Sequence, residues 1–371
     1  MAIIKEVIFI RKKDFLVIIS FLVVIAIGLW IWNINSKEET AATDLKQENH
    51  VHGAVFKVQD FGAKGDGKTD DSEAIKKAFN TASKAGGGTV FFKKGTYFVT
   101  STISVPKNIS LLGEGKTNTT FNRTDKKQES ILSLAGDQTL QDIGFKSNLG
   151  VLPAGDNITI LDCKFTNTTQ GIQNSITVHN LSIINSLFEG SGYGILSNLN
   201  PSYNVKIINC RFKNNTSDDI EINAPSENWL IENSVFENNI SKSPNAGFAV
   251  GIAIKAKNIT IKNCSFNKIA GQSVHVEDFA EATIINSSFK NSGVHDYPGD
   301  PEADIAVLSN AKVTVLNSIF YESDMGYSNL AIYNTDLPIG GTVTVKSSKF
   351  YHKKVSTQVE VVDSEFIGEE K

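Results

Sequence analysis

Apolar and polar residues alternate along much of the chain, and the alternation recurs in a nine-residue phrase that ends in phenylalanine. Within a phrase, apolar pairs such as Ile158 and Ile160 are two residues apart, which is the period of a strand with one buried face. A degenerate copy ends at Phe145, and the complete copies occupy residues 157–165, 180–188, 204–212, 228–236, 258–266, 281–289, 312–320, 342–350 and 358–366. The pattern therefore predicts an all-β protein with a short strand in every copy.

The copies are spaced regularly enough to indicate stacked units. Their final phenylalanines are 20, 23, 24, 24, 30, 23, 31, 30 and 16 residues apart, and a phrase that returns at such intervals is typical of a repeat architecture. Three residues before each phenylalanine stands a polar residue, in order Asp162, Asn185, Asn209, Asn233, Asn263, Asn286, Asn317, Ser347 and Asp363. Asn and Asp tolerate the left-handed backbone of a tight corner. We therefore predict a single-chain parallel β-helix of about ten coils, each rising by one strand spacing.

The three cysteines occupy equivalent places in this repeat. Cys163, Cys210 and Cys264 each follow the polar corner residue, and a serine takes that place in the copies between them. Neighbouring cysteines are therefore two coils apart, about 9.6 Å from the strand spacing. Because this is too far for a disulfide, we predict three buried free thiols.

The N-terminal segment is apolar without interruption. Residues 15–32 carry no charge and follow Arg11, Lys12 and Lys13; 18 residues at about 1.5 Å each reach roughly 27 Å, close to the hydrocarbon thickness of a bilayer. We predict a transmembrane signal anchor at 15–32, with a basic cytoplasmic segment (1–14), a polar linker (33–52) and an extracellular domain (53–371). The alternative is a signal peptide whose cleavage releases a secreted domain.

A short glycine-rich stretch raises a competing interpretation. "GAKGDGKT" at 62–69 matches a nucleotide-binding pattern, between a predicted strand (56–61) and a predicted helix (72–85). The remaining sequence lacks the alternation of strands and helices that forms the sheet behind such a loop. We interpret the stretch as a turn, with residues 69–71 capping the helix, and expect no nucleotide. The net charge of −4 likewise gives no basic footprint for nucleic acid.

Residues 61–99, followed by "LLGEG" at 111–115, resemble the start of the pectate-lyase-like β-helix superfamily, which contains polygalacturonases, rhamnogalacturonases, epimerase-like domains and many phage tailspikes. The resemblance implies right-handed coils, an α-helical cap at the N-terminal end of the core, and a polysaccharide partner. Asp218 and Asp219 match the paired aspartates of polygalacturonases. The only "NTD" (334–336) lies several coils too late, however, and the Gly-His-Gly and Arg-Ile-Lys motifs are absent. The chain is therefore not an ordinary polygalacturonase.

Three consecutive coils concentrate polar residues on one predicted outer face. With Ile220, Ile222, Ile252, Ile254, Val274 and Val276 assigned inward, the outward residues are Asp219, Glu221, Asn223, Gly251, Ala253, Lys255, Ser273, His275 and Glu277. Asp304 extends the Asp219 column into the next coil. We predict that Glu221 and His275 flank Ala253, and that Asn223, Lys255 and Glu277 share a column. Long insertions at 238–249 and 291–303 would wall this face.

These residues suit two kinds of glycan chemistry. We predict catalytic roles for Asp219, Glu221, Lys255, His275 and Glu277, and substrate binding by Asn223, Gly251, Ala253, Ser273 and Asp304. Glu221 and Glu277, two coils apart, suit an inverting hydrolase, whose carboxyl groups lie about 6.5–9.5 Å apart. Lys255 instead suits proton abstraction beside a uronate carboxylate in a lyase or epimerase, with acidic groups holding a divalent cation such as calcium. No other cofactor is expected, and a non-catalytic glycan-binding or wall-spacing β-helix is the alternative function.

Overall fold

The computed structural model describes residues 53–123, 129–146, 148–198, 200–243, 245–293, 302–325, 327, 329–335 and 340–368. The predicted cytoplasmic segment, the predicted anchor at 15–32 and the linker lie outside the described residues. Within the described ranges, no helix has the length and apolar character needed to cross a membrane.

Three parallel sheets, here called A, B and C, build the domain, and each coil passes through them in that order. One coil runs from Glu227–Glu232 in sheet A through Val235–Glu237 in sheet B to Val250–Ile252 in sheet C, and the next begins at Lys257–Lys262. The prediction of an all-β parallel β-helix is confirmed. Among the described residues, the main ladders of sheets A and B each hold 13 strands, more than the predicted ten, because the first coils contain no complete phrase.

The strands of sheet A are Val55–Lys57, Gly88–Phe92, Ile109–Gly113, Gln138–Gln141, Ile158–Leu161, Leu181–Ile184, Ser202–Ile208, Glu227–Glu232, Lys257–Lys262, Glu281–Ile285, Lys312–Leu316, Thr342–Lys346 and Val359–Val362, with Val178–His179 pairing beside Ser202–Ile208. The strands of sheet B are Asp66–Asp70, Gly95–Phe98, Thr119–Asn122, Gly144–Lys146, Lys164–Thr166, Leu187–Glu189, Arg211–Lys213, Val235–Glu237, Ser265–Ile269, Ser288–Ser292, Ile319–Phe320, Lys349–Tyr351 and Glu365–Ile367. The strands of sheet C are Ile103–Val105, Ser130–Leu134, Leu149–Pro153, Gln170–Gln173, Tyr193–Asn198, Ile220–Asn223, Val250–Ile252, Val274–Val276, Ile305–Val307, Leu330–Asn334 and Lys354–Val355.

The repeated phrase accounts for the core. Each phrase forms a strand of sheet A, a corner and a strand of sheet B, so its phenylalanine stacks on the equivalent residue of the next coil. Phe212, for example, is completely buried, with ring centroids 4.8 Å from those of Phe188 and Phe236. The corner residues adopt the left-handed backbone that the sequence predicts, as in Asn185 at φ 51° and Asn209 at φ 55°.

The three cysteines are free and buried, as predicted. The Cys163 N–H donates to Ser186 Oγ at 3.1 Å, and the Cys210 N–H donates to Ser234 Oγ at the same distance. Burial raises the pKa of all three thiols to about 12. The column of cysteines and serines therefore connects neighbouring coils through hydrogen bonds rather than disulfides.

The chain enters the core through a strand that is shorter than predicted. The strand Val55–Lys57 is followed by a 3₁₀ helix, Val58–Phe61, where the sequence predicted a strand over 56–61. Gly62 ends this helix in the left-handed region, at φ 101°, and its N–H donates to the Gln59 carbonyl. A residue in this conformation turns the chain, so the alternation before it does not continue as a strand.

The loop that matches the nucleotide-binding pattern is closed by its own carboxylates. The Lys64 N–H donates to Asp71 Oδ1 at 2.6 Å, and the N–H groups of Lys68 and Thr69 donate to Asp66 Oδ1 at 2.9 and 2.8 Å. Backbone N–H groups are what such a loop offers to phosphate. Because carboxylates occupy them here, the structure supports the interpretation of this stretch as structural, but only residues 62–65 form the predicted turn, since residues 66–69 belong to the strand Asp66–Asp70.

An α-helix, Ser72–Lys84, covers the N-terminal end of the core. Asp71 is its N-cap residue, but the Asp71 side chain makes no cap hydrogen bond; Asp70 Oδ1 accepts from the Ser72 N–H instead, at 3.0 Å. The helix buries Ile75, Ala78, Phe79 and Ala82. The Phe79 ring meets that of Phe92 edge-on at 6.5 Å, so an amphipathic helix shields the first aromatic layers from water.

Candidate functional site

The predicted polar face lies in the middle of sheet C. Parallel pairing aligns Glu221 with Gly251, and Gly251 with His275. Gly251, rather than the predicted Ala253, therefore lies between the two polar side chains. The Ala253 N–H donates to the Ile222 carbonyl and the Glu277 N–H to the Ile252 carbonyl. These bonds place Ala253 and Glu277 beside Asn223 in the adjacent column.

Three residues predicted to face outward are completely buried: Asp219, Ser273 and Asp304. Ser273 Oγ lies 2.6 Å from Ser292 Oγ, and Lys353 Nζ lies 2.9 Å from Asp304 Oδ2. The predicted direction of this column is wrong because each of the three residues lies in a bend before its strand, where the alternation of sides does not hold. None of them is available to a glycan.

The neighbouring coils explain why this column faces inward. Asp219 follows Gly150, Gly171 and Gly194 at the same position in successive coils. A Cβ atom added to Gly194 would lie 2.8 Å from the ring of Phe212, so the position points at the phenylalanine stack.

Asp219 places a buried carboxyl group at the position that glycine occupies in the three preceding coils. Asn215 Nδ2 donates to Asp219 Oδ1 at 2.7 Å, and among the described residues Asp219 Oδ2 has no hydrogen-bond partner. Burial raises the pKa of Asp219 to about 8. The side chain is therefore largely a neutral acid at pH 7, inside the core.

Lys255 also departs from its predicted place. The strand ends at Ile252, and Ile254 and Lys255 adopt left-handed backbone at φ 50° and 59°. Ile254, predicted inward, is 40% exposed. The two residues form the turn toward sheet A, and Lys255 lines a separate cleft with Lys257 and Phe279. The predicted column of Asn223, Lys255 and Glu277 is therefore wrong.

Glu221 is a half-buried carboxyl group on the face. Asn223 Nδ2 donates to Glu221 Oε1 at 3.1 Å, which orients the carboxyl group along the strand. Burial raises the pKa of Glu221 above its usual value, because the charged form loses hydration. Its environment therefore favours the protonated acid.

Glu277 lies in the opposite environment. His275, only 8% exposed, has Nε2 3.5 Å from Glu277 Oε2 and Nδ1 3.0 Å from Gln272 Oε1. Both ring nitrogens face side-chain oxygen atoms that can accept a hydrogen bond. Hydrogen bonding from His275 lowers the pKa of Glu277, so Glu277 favours the carboxylate form.

Phe248 is one of two side chains in the site that were not predicted from the sequence, and it forms part of the floor. The Phe248 ring stacks on His275 with centroids 4.3 Å apart, and a Cβ atom added to Gly251 would lie 3.4 Å from the Phe248 ring. The floor at Gly251 is thus flat, with an aromatic ring beside it.

Asp218 is the other side chain that the analysis did not place on the face. Asp218 Oδ1 accepts from the N–H groups of Gly247 and Phe248 at 2.7 and 2.9 Å. Burial is the main reason that its pKa is raised to about 7, and the charge of Glu221 contributes. The sequence signal was present in the paired Asp218 and Asp219, but counting alternate residues through the bend selected Asp219.

A calcium ion would need several oxygen ligands held together. Among the described residues, no group of three or more His, Cys, Asp or Glu side chains is arranged to hold a metal ion. The divalent cation that a lyase mechanism would use stays a prediction.

Coils that pass through three parallel sheets, with carboxyl groups on one outer face, are the features of a pectate-lyase-like β-helix protein. Residues 55–295 match the family described as rhamnogalacturonase A/epimerase, pectate lyase-like. The chain belongs to this family, which confirms the superfamily predicted from its opening residues.

Its sequence relatives include proteins whose names describe enzymes that act on polysaccharides. The chain is 37% identical to alginate lyase 7 of Azotobacter vinelandii over 99 residues, covering 24% of this chain and 12% of that protein. A mannuronan C5-epimerase of the same organism, AlgE3, is 34% identical over 86 residues, covering 21% and 5%. The matched segments thus span only a small part of these relatives.

Among solved structures, the catalytic unit of an α-1,3-glucanase from Streptomyces thermodiastaticus superimposes with a TM-score of 0.62. The two chains are 15% identical, and the match covers 86% of this chain and 70% of the glucanase unit. At this identity the likeness concerns the fold alone.

Proposed function

We propose that the face of sheet C around Gly251 binds a polysaccharide and that the protein hydrolyses a glycosidic bond there. One observation carries the proposal: two carboxyl groups flank a flat floor, and their environments shift their pKa values in opposite directions. The pKa of Glu221 is raised and that of Glu277 is lowered. A pair of this kind indicates an acid and a base with separate roles.

The spacing of the pair suits hydrolysis with inversion. Glu221 lies on the strand Ile220–Asn223, and Glu277 directly follows the strand Val274–Val276 two coils away, so their backbones are at least about 9.6 Å apart. Side chains that lean toward each other across Gly251 would bring the two carboxyl groups to the separation of about 6.5–9.5 Å with which inverting enzymes admit a water. Glu221 gives its proton to the leaving oxygen as the bond from the anomeric carbon breaks. Glu277 takes a proton from the water, whose oxygen bonds to the anomeric carbon from the opposite side.

The surrounding side chains position this pair. Asn223 holds Glu221 by its hydrogen bond, and His275 holds Glu277 in its ionised form. Gly251 leaves the space between them open. Asp218 fixes the backbone at Phe248, whose ring offers an apolar surface to a sugar.

Elimination and epimerisation form a second candidate, favoured by the relatives named alginate lyase and mannuronan epimerase. Both reactions remove a proton beside a uronate carboxylate, and Lys255, the predicted base, lies outside the face. On the described strands of sheet C from Tyr193 to Val307, no lysine or arginine is present to neutralise that carboxylate. The face therefore supports hydrolysis better.

We also propose that the domain works outside the cell, held at the membrane by residues 15–32. The support is the uncharged run of 18 residues behind a basic cluster. Recovery of intact protein in the membrane fraction is the expected result, and a soluble product that begins after residue 32 would instead indicate secretion.

The carboxyl pair is tested by removing each charge at nearly constant size. Glu221→Gln and Glu277→Gln should each lower activity about a hundredfold or more, because each removes a general acid or base. Glu189→Gln, which changes an outward carboxylate of sheet B paired with Lys164, should leave activity unchanged. The assay measures new reducing ends from a panel of neutral and acidic glycans.

The products discriminate between the alternatives. New reducing ends without unsaturated sugars support hydrolysis, whereas unsaturated or epimerised sugars would identify elimination or epimerisation. Unchanged turnover in both Gln variants would place the site elsewhere. Binding without turnover of any glycan would leave the non-catalytic function.

The pH profile should be bell-shaped, because activity needs protonated Glu221 and ionised Glu277. Activity should fall below the usual pKa of a glutamate as Glu277 gains a proton, and above it as Glu221 loses one. His275→Phe keeps a ring against Phe248 and removes the hydrogen bond that depresses the pKa of Glu277, so the acidic limb should move to higher pH while the alkaline limb stays. The measurement is kcat/KM against pH for both proteins, and an unmoved acidic limb would contradict this role for His275.

A further inference from the structure

Beyond the face of sheet C, the turns that lead from sheet C to sheet A repeat an unusual backbone. Ile254 and Lys255 have φ values of 50° and 59°, and Asp278 and Phe279 have 52° and 61°. The Lys255 N–H donates to the Asp278 carbonyl at 2.8 Å, so the two turns stack. Two consecutive residues with positive φ form a turn that Asn and Gly adopt at little cost. The third turn of the stack, at 309–310, follows this preference with a serine and an asparagine.

Ile254 and Phe279 do not follow it. A β-branched or bulky residue at positive φ is an outlier, and both side chains are among the large apolar residues left exposed, Ile254 at 40% and Phe279 at 55%. Residues held in unfavourable backbone conformations concentrate at functional sites, where the surrounding structure maintains them. Two neighbouring strained turns that both present apolar side chains to solvent therefore indicate a contact surface.

A cleft of about 400 Å³ opens beside these turns, within the size range of ligand sites. Its lining includes Lys255, Lys257, Lys312, Phe279, Glu227 and Glu281. Lys312 pairs with Glu281 at 3.2 Å, whereas Lys255 and Lys257 form no salt bridge with any residue that the structure describes. The cleft thus combines an exposed aromatic ring with two ammonium groups outside any of these salt bridges, and strand pairing aligns Lys257 with the carboxylate of Glu227.

We propose that this cleft is a second glycan-binding site, which takes a carboxylate-bearing sugar of an acidic polysaccharide. The Phe279 ring packs against the C–H face of the sugar, and Lys255 and Lys257 pair with the carboxylate. The site does not depend on the proposed hydrolysis, because it would hold the polymer equally in a non-catalytic protein. It lies just beyond the face, since Phe279 follows Glu277 by two residues, and it supplies the positive charge that the strands of sheet C lack.

The decisive variant is Phe279→Asn, because it removes the ring and relieves the strained backbone at once. In the full-length protein, binding of alginate and polygalacturonate oligosaccharides should weaken at least tenfold, while the thermal midpoint stays the same or rises. A purely structural role would move stability and leave binding unchanged, so that outcome overturns the proposal. Calorimetric titration and thermal unfolding provide the two readouts.

The charge requirement is tested by Lys255→Gln combined with Lys257→Gln. Binding of both uronate oligosaccharides should weaken at least tenfold and lose most of its dependence on salt concentration. Lys206→Gln, at an exposed lysine of sheet A, is the matched control and should change neither. Equal binding of a neutral β-glucan oligosaccharide, or full affinity in the double variant, would overturn the assignment to an acidic glycan.

Glu221→Gln separates this site from the face of sheet C. Adding Phe279→Asn to Glu221→Gln should weaken binding of the uronate oligosaccharides at least tenfold relative to Glu221→Gln alone, because the cleft binds them independently of turnover. If Glu221→Gln abolishes binding and Phe279→Asn does not, the binding belongs to the face and the second site is wrong. Failure to find turnover with any glycan would instead contradict the proposed hydrolysis and leave this test standing.

Discussion

Replacing Phe212 by alanine is expected to lower the free energy of unfolding by about 3–5 kcal/mol, the usual cost of deleting a buried aromatic side chain. The Phe212 ring is completely buried and lies nearly parallel to Phe188 and Phe236, at 5° and 4°. Its removal leaves a cavity and deprives both neighbouring rings of a stacking partner. Because each coil contacts mainly its neighbours, the defect should weaken two interfaces of the stack.

The same substitution at the end of the stack is the matched control. Phe366 is 41% exposed and stacks on Phe350 at 4.6 Å, so Phe366→Ala should cost about 1 kcal/mol. Urea titration followed by circular dichroism measures both variants, and an unchanged m-value would show that the loss lies in stability. Equal losses at the two positions would mean that the central stack contributes no more than a frayed end.

The phenylalanine stack was predictable because phenylalanine recurs at the same position in every copy of the nine-residue phrase. Strands in sheets A and B alternate as the sequence indicates, with Ile158 and Ile160 inward in one coil and Val313 and Val315 inward in another. The left-handed corners followed from Asn and Asp because few other residues adopt that backbone cheaply. When a pattern recurs in every coil, each further copy tests the prediction made from the first, and a pattern that occurs once offers no such test.

The candidate site was harder to predict because sheet C repeats no phrase. Its strands are short, only three residues in Val250–Ile252, and alternation has no meaning in the bends and turns on either side. Counting through those segments turned Asp219 outward and Ile254 inward, opposite to their observed directions. The glycines at 150, 171 and 194 were a usable signal, since a column without side chains indicates a position that faces the packed rings.

The electrostatic contrast within the site lay beyond sequence reasoning. The pKa of Glu277 depends on His275, and that of Glu221 depends on burial beneath neighbouring coils. Both depend on the register between coils that are joined by insertions of unequal length. The small residue between Glu221 and His275 is Gly251 rather than the predicted Ala253, and this difference changes which side chains are neighbours. The sequence therefore identified Glu221 and Glu277 as candidates but did not predict their environments.

Replacing Lys353 by methionine is expected to destabilise the protein by about 3–5 kcal/mol at pH 8, the cost of leaving a buried charge without its partner. Lys353 Nζ and Asp304 Oδ2 are 2.9 Å apart, and both side chains are completely buried. Burial already raises the pKa of Asp304 to about 6, although the charge of Lys353 lowers it. The variant removes the positive charge that stabilises the Asp304 carboxylate, while that carboxylate stays buried and without hydration.

Two variants control for the loss of lysine itself. Lys353→Met combined with Asp304→Asn should recover most of the stability at pH 8, since no charge is then buried. Lys349→Met breaks an exposed pair with Glu365, whose side chains are 48% and 65% exposed, and should cost less than about 1 kcal/mol. A Lys353→Met loss as small as that of Lys349→Met would contradict a buried, energetically coupled pair.

The dependence of this loss on pH identifies its cause. Without Lys353 the pKa of Asp304 rises further above its unfolded value of 3.8, so the folded state binds a proton that the unfolded state has released. Stability of the variant should therefore fall as pH rises, beginning near the unfolded pKa and continuing through the raised folded value. Urea titrations between pH 4 and pH 8 should show the deficit relative to the unmodified protein shrinking toward pH 4, where Asp304 carries a proton in the folded variant. A deficit of equal size at both ends of this range would show that lost packing of the lysine chain, rather than the unpaired carboxylate, destabilises the fold.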